Sequence, residues 1–242
     1  MSKCNKFLKC IINDIDSSWY NFLLQDNVMK ELNSIEKKIG NDFYPDVNNV
    51  LRFLKVNLND VKYIVLGMDP YPSDYEVNNK KIPIATGRSF EIGNYNSWND
   101  STKNVSMINI VKAIYKECRG SIKSIDEIRE EINNGSFRLV SPNKIFDYLE
   151  KQGVLFLNCS FTVLPGKAKS HVSLWSNFSS LLQNYIINTN PDIIWILWGD
   201  EAINNMNGKI DSSKMITNCH PRRYEFVENS DFSKVKGIKV TI

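Results

Sequence analysis

Three polar residues stand just past apolar runs of this chain, and each is of a type that takes part in proton or hydrogen-bond chemistry. Asp69 follows Tyr63-Ile64-Val65-Leu66 through Gly67-Met68, Asn158 closes Val154-Leu155-Phe156-Leu157, and His220 follows Lys214-Met215-Ile216-Thr217 through Asn218-Cys219. Asp69 lies in a Gly-x-Asp-Pro turn. Gly67 permits unusual torsion and Pro70 fixes the next residue, so the carboxylate is aimed and can orient and activate water. Asp before Pro is also an ordinary turn former. Asn158 offers an acceptor and two donors on one planar amide, a match for the edge of a nucleobase; its bland alternative is a turn or helix cap. The two histidines, His171 and His220, both sit in loops, and position at a strand end favours His220 for a chemical role. Tyr71, between Pro70 and Pro72, is rigid enough to act as a wall, or more simply is a packed loop aromatic.

These residues act together only if one sheet carries them. The runs 63–66, 154–157, 193–198 and 214–217 suit strands buried on both faces. Helical spacing over Ser106 to Cys118, Ile145 to Gln152 and Ser176 to Asn188 supplies the crossovers that parallel strands require. The architecture is therefore α/β with a parallel sheet. Ligands bind such a sheet at the carboxyl ends of its strands, which predicts that Asp69, Asn158 and His220 converge, with Gly199-Asp200 beside them. Ser17 to Leu54, with Trp19, Phe22, Leu23 and Met29 recurring on one side, reads as an N-terminal helical layer.

The 242 residues suit one large domain, 1–242, with residues 1–60 as the helical layer and 61–242 as the core that carries the chemistry. A formal charge of +3 makes any nucleic-acid surface a local patch. Cys4, Cys10, Cys118, Cys159 and Cys219 are odd in number and form no Cys-x-x-Cys pair, which points to reduced, intracellular thiols and no metal site. The apolar stretches at the N-terminus are too short and interrupted for a secretory signal, and no run approaches the ~20 apolar residues of a spanning helix.

Taken together, the segments resemble the main uracil-DNA glycosylase family, which has a water-activating Gly-Gln-Asp-Pro-Tyr-His loop and a closing His-Pro-Ser-Pro-Leu loop. Gly67-Met68-Asp69-Pro70-Tyr71-Pro72 is similar to the first loop and Gly87-Arg88-Ser89-Phe90 to the segment whose Phe stacks on uracil. Asn104 to Ile110 resembles the phosphate-gripping loop and the helix after it. The longest match runs from Gln152 to Asn158 and on through Thr162-Val163 and Ala168-Lys169-Ser170-His171 to Trp175 and Phe178. Leu197-Trp198-Gly199, His220-Pro221 and Phe232-Ser233-Lys234 complete a resemblance over about residues 60 to 238.

The resemblance implies a three-layer α/β/α fold with a central four-stranded parallel sheet, and an enzyme that flips uracil from DNA and hydrolyses its N-glycosidic bond in base-excision repair. Asp69 would position water and His220 would hydrogen-bond uracil O2 as negative charge develops there. Asn158 would read the uracil edge, Phe90 would stack on the base, Tyr71 would exclude the thymine methyl, and Met68 would complete the substrate-binding set. Ser106 and Gly199 would grip phosphates. Neither metal nor organic cofactor is implied.

The departures are specific. Pro72 replaces His, Asp200 replaces a frequent Ser and would repel phosphate unless it turns away, the prolines usual before Ser106 are absent, and the last loop reads His220-Pro221-Arg222-Arg223-Tyr224. Pro72 and the basic loop resemble the poxvirus members of the family. There Arg222 and Arg223 would hold phosphates, and Tyr224 would align with the wedge that fills the gap left by the base. The expected partners are uracil-containing DNA and either a proteinaceous inhibitor or a replication partner, with no membrane, for a monomeric chain. The competing reading is a DNA-binding replication or processivity accessory that keeps the fold.

Overall fold

The computed structural model describes residues 5–100 and 104–242; Cys4 lies outside the described residues, and the other four cysteines are free thiols. The strands are Tyr63–Gly67 (β1), Asp74–Val77 (β2), Lys80–Pro83 (β3), Val154–Asn158 (β4), Ile194–Trp198 (β5) and Met215–Asn218 (β6). The α-helices are Lys6–Lys9 (α1), Tyr20–Leu23 (α2), Asp26–Ile39 (α3), Val105–Arg119 (α4), Ile125–Asn133 (α5), Pro142–Glu150 (α6), Val172–Thr189 (α7), Asp200–Met206 (α8) and Glu225–Asn229 (α9). Among the described residues no helix is long and apolar enough to cross a membrane.

β1, β4, β5 and β6 form a four-stranded sheet in the order β4-β1-β5-β6, and every pair in it is parallel. Alternate residues feed opposite cores, as the two-residue period of a strand requires. Ile64, Leu66, Leu155, Leu157, Trp195 and Leu197 pack against the N-terminal helical layer and α7. Val65, Val154, Phe156, Ile196 and Trp198 face α4, α6 and the C-terminal segment. Burial on both faces explains why these strands read as unbroken apolar runs.

The N-terminal layer is less regular than its spacing predicts. α3 is a full helix, buried through Val28, Leu32, Ile35 and Ile39, but residues 17–19, 47–49 and 52–55 form short 3-10 turns. A second, two-stranded antiparallel sheet, β2–β3, was not read from the sequence. It turns through Asn78 and Asn79, both with positive φ, as a two-residue hairpin turn demands. Its base is fastened by Ile84 N donating to Ser73 O (3.0 Å) and by Tyr44 Oη donating to Asp74 (2.6 Å).

The loop between β3 and α4 is held by one buried cation. Arg88 donates to Glu150 through Nε (2.7 Å) and Nη2, to Asp147 through Nη2, and to Glu91 through Nη1 (3.0 Å). Burial alone would lower its pKa, but the Glu150 hydrogen bonds and the charges around it outweigh that and raise it. Beside it, Ser89 Oγ donates to Val65 O (2.8 Å), tying the loop to β1. Removing a buried cation strands its partner carboxylates, and Glu91 Oε2 is already buried without a hydrogen-bond partner. Arg88→Met is therefore expected to cost about 3 kcal/mol, read as a lower urea midpoint at unchanged slope. A loss under about 1 kcal/mol would show that the loop is held by other means.

Candidate active site

The site begins where β1 and β4 end side by side. Their register sets Gly67 opposite Asn158, and a side chain on Gly67 would meet Asn158 Oδ1 at 2.4 Å and Ser89 Cβ at 2.8 Å. Only a glycine lets the Asn158 amide, 3% exposed, lie against the backbone there. Hydrogen bonding continues past the strand ends, with Cys159 N donating to Gly67 O (2.9 Å) and Ser160 N to Met68 O (2.7 Å). The Asp69 loop is thus an extension of the sheet. It is also strapped to the segment before α7, by Gly166 N to Pro72 O (2.8 Å) and Lys169 N to Asp69 Oδ2 (2.5 Å).

At the end of β5 the same device recurs. Gly199, with φ +96°, would place a Cβ 3.0 Å from His220 Cβ. The left-handed backbone and the close approach both call for glycine, and together they bring His220 beside β5. Phe90 lies between, its ring 5.1 Å from Trp198 and 6.2 Å from His220, in a left-handed conformation (φ 64°) that a phenylalanine adopts only when its surroundings impose it.

Two charged groups have been moved toward neutrality. Burial raises the pKa of Asp69, opposed by the Lys169 backbone hydrogen bond and the Lys169 charge, while Glu201 adds to the rise. Burial lowers that of His220, reinforced by Arg222 and Lys169 and opposed by Glu201. Arg222 N donates to His220 Nδ1 (3.1 Å), so the neutral ring carries its proton on Nε2 and is a donor there.

His171 is a different case. Thr162 Oγ1 accepts from Trp175 Nε1 (2.6 Å) and shares a second hydrogen bond with His171 Nδ1 (3.0 Å). That histidine is buried in the packing of α7, and burial lowers its pKa. The remaining residues occupy one rim. Tyr71 is partly buried and its pKa is raised by burial, offset by a hydrogen bond from Asn104 and the charge of Arg222. Asn104 also caps α4, accepting from Met107 N (3.0 Å), and from the same helix Asn109 Nδ2 donates to Pro221 O (2.7 Å) and Arg223 O (3.3 Å). α4 thereby joins the Tyr71 loop to the His220 loop.

Met68, Asp69, Tyr71, Phe90, Asn158, Gly199 and His220 are thus gathered at one sheet edge. Ser106 lies in the first turn of α4 but is 5% exposed. Arg222, Arg223 and Tyr224 are exposed, Tyr224 at 59%, and Arg223 pairs with Glu225 (3.2 Å). Asp200 opens α8 and is exposed. Asn104, Asn109 and Lys169 lie in segments matched from the sequence but were given no individual role there; the first is visible as an Asn ahead of a helical run, while the others depend on long-range contacts.

The chain is 31% identical over 193 residues to the uracil-DNA glycosylase of Aliarcobacter butzleri, a match that spans 77% of this chain and 75% of that protein. The chain belongs to the uracil-DNA glycosylase family. A second member, from Campylobacter jejuni (strain RM1221), is 28% identical over 235 residues, covering 91% of this chain and 87% of its own length. No family model matches the sequence. In fold, the chain resembles the UNG crystal structure from Nitratifractor salsuginis, with a TM-score of 0.68 at 23% identity over 92% of this chain and 90% of that one. Mimivirus uracil-DNA glycosylase gives 0.64 at 18% identity, over 93% and 78%. These structures share the four-stranded parallel α/β architecture of the glycosylase fold.

In this glycosylase His220 is expected to titrate below the ~6.5 of an unperturbed histidine and to carry its proton on Nε2 above that transition. Nitrogen-15 chemical shifts of the ring across pH 4 to 8 would show it; an Nδ1–H tautomer, or a pKa above the unperturbed one, would contradict the geometry. The linkage sign follows from the depressed pKa: neutral His220 favours the folded state above the unfolded pKa, and this contribution is lost as pH falls through the folded one.

Proposed function

We propose that this uracil-DNA glycosylase cleaves the uracil N-glycosidic bond with Asp69 as the water-positioning carboxylate and His220 as a neutral hydrogen-bond donor to uracil O2. The supporting observation is the pairing, at one sheet edge, of a carboxylate with a histidine whose Nδ1 is already taken as an acceptor by Arg222 N. Breaking the bond builds positive charge on the sugar and negative charge on the base. A carboxylate near the first and an Nε2–H donor at the second stabilise that separation. Asp69 must be ionised to act, so its raised pKa makes activity fall on acidification earlier than for an ordinary carboxylate.

Asn158 reads the uracil edge, held in one orientation by the Gly67 backbone; Met68 and Phe90 form the slot, and Tyr71, fixed by Asn104 and two prolines, excludes a 5-methyl group. Phosphates are held by the Gly199 backbone, by Arg222 and Arg223, and by the first turn of α4 at Ser106. The Ser106 side chain has to emerge from its buried position to contribute. Pro72 and the Arg222-Arg223-Tyr224 loop are read as a motif variant similar to that of the poxvirus enzymes. A variant of the mimivirus UNG has been solved in complex with UGI; a proteinaceous partner of that kind is proposed for this chain.

A uracil-containing oligonucleotide incubated with the protein and a chelator should acquire abasic sites, revealed by alkaline cleavage. Asp69→Asn and His220→Ala should each lose on the order of 100-fold in rate, and full rates in both would defeat the assignment. Tyr224→Ala should slow excision from duplex more than from single strands, because only a duplex leaves a hole to fill. Equal losses on both substrates would remove Tyr224 from the wedge role.

A further inference from the structure

Among the described residues, Lys169 is the one Lys or Arg with a positive φ. Its backbone is left-handed (φ 62°), a conformation non-glycine residues adopt rarely and mostly where the surroundings enforce it. What enforces it is the loop from Leu164 to His171, closed by Leu164 N donating to Ser170 Oγ (2.7 Å) and strapped to Pro72 and Asp69. Lys169 therefore projects from the rim of the Asp69 carboxylate, and its ammonium pairs with Glu201 in the first turn of α8. Both side chains are more than half exposed, at 56% and 53%, and ion pairs in that setting contribute little and are readily exchanged.

The chemistry of the proposed reaction decides what else comes to this spot. Asp69 has to sit under the sugar of the extruded nucleotide, and that sugar carries a phosphate on either side. A lysine whose own amide is bonded to Asp69 is within side-chain reach of those phosphates. The acid it must leave is Glu201.

We propose that Lys169 and Glu201 form an exchangeable ion pair, in which a backbone phosphate of the flipped nucleotide displaces Glu201 and takes Lys169 as its counter-ion. The inference rests on the glycosylase reading above. Glu201 thereby acts as a stand-in anion that keeps Lys169 ordered in the free protein and weakens DNA binding by competing for it. The charges facing Asp69 are Lys169 and Glu201, and those facing His220 are Arg222, Glu201 and Lys169, so exchange also changes the field on both groups at the moment DNA arrives.

The test is one of sign. A structural ion pair loses function when either partner is removed, whereas an exchangeable one responds in opposite directions. Lys169→Asn keeps the amide bonded to Asp69 and tolerates the left-handed backbone, and Lys169→Gly serves as a second variant with the same freedom. On uracil-containing duplex, kcat/KM at physiological salt should fall roughly three- to ten-fold for Lys169→Asn, with the salt dependence flattened by about one counterion. Glu201→Gln should raise kcat/KM by a similar factor. The double variant should match Lys169→Asn alone in DNA affinity, a readout that the direct charge of Glu201 on Asp69 and His220 does not enter.

A fall or no change in Glu201→Gln, or a double variant distinct from Lys169→Asn in affinity, would overturn the proposal. Binding of the same five proteins to duplex carrying a 2′-fluorinated deoxyuridine, whose N-glycosidic bond resists cleavage, followed by fluorescence anisotropy against salt, separates this inference from the reaction itself. A wild-type protein that binds this duplex but releases no uracil from the unfluorinated one would sink the glycosylase reading, while the order of the five affinities would still decide the ion pair.

Discussion

The register between β1 and β4 is the constraint from which the site follows. It brings Gly67 and Asn158 level, and because the backbone of one must touch the amide of the other, the first position admits no side chain. The ladder then runs on past both strands through Cys159 and Ser160 to the carbonyls of Gly67 and Met68. A carboxylate two residues beyond a strand end would ordinarily sit on a loop with freedom to move. Here that loop is paired along its length, so Asp69 inherits the rigidity of the sheet, which is what a preorganised site needs. The Phe90 loop is tied to the same strand by Ser89 and clamped from behind by Arg88.

Burial moves Asp69 and His220 in chemically opposite ways. For His220 loss of charge yields the neutral Nε2–H donor, and two neighbouring cations push the same way. For Asp69 it works against the ionised form that the proposed water activation requires, and the Lys169 amide and ammonium offset it. Environments that set two titratable groups against each other are a means of running acid and base roles at one pH. The cations that do so, Lys169 and Arg222, lie on loops at the rim, where an approaching polyanion meets them first.

The four sheet strands were legible in the sequence to within a residue, because burial on both faces writes an unbroken apolar run. α4 was legible to the same precision, while α6 and α7 were recognised from their apolar spacing but begin three and four residues earlier than it suggested. The hairpin was not legible: Asp74 to Pro83 is largely exposed, carries Lys80 and Lys81, and lacks the alternation that marks a half-buried strand. α5 was missed although its start is written plainly, since Ser124 and Glu127 form a reciprocal capping box. In the site, Asp69, Asn158 and His220 were found because strand ends predict a place. Lys169 and Asn109 escaped because their significance lies in partners 100 and 112 residues away along the chain. Strand-end position already favoured His220 over His171, but the Thr162–Trp175 network that holds His171 in the packing is not revealed by pattern alone.

The β2–β3 hairpin leaves the chain just after the Asp69 loop and rejoins it shortly before Phe90, yet both of its feet are pinned, by Tyr44 on Asp74 and by Ile84 on Ser73. A segment anchored at its base and free at its tip can lengthen, shorten or change composition without transmitting the change to either neighbour. Change in length or composition is thus confined to the tip, and the same tip is the natural place to graft a peptide tag or fluorophore without disturbing either flanking loop.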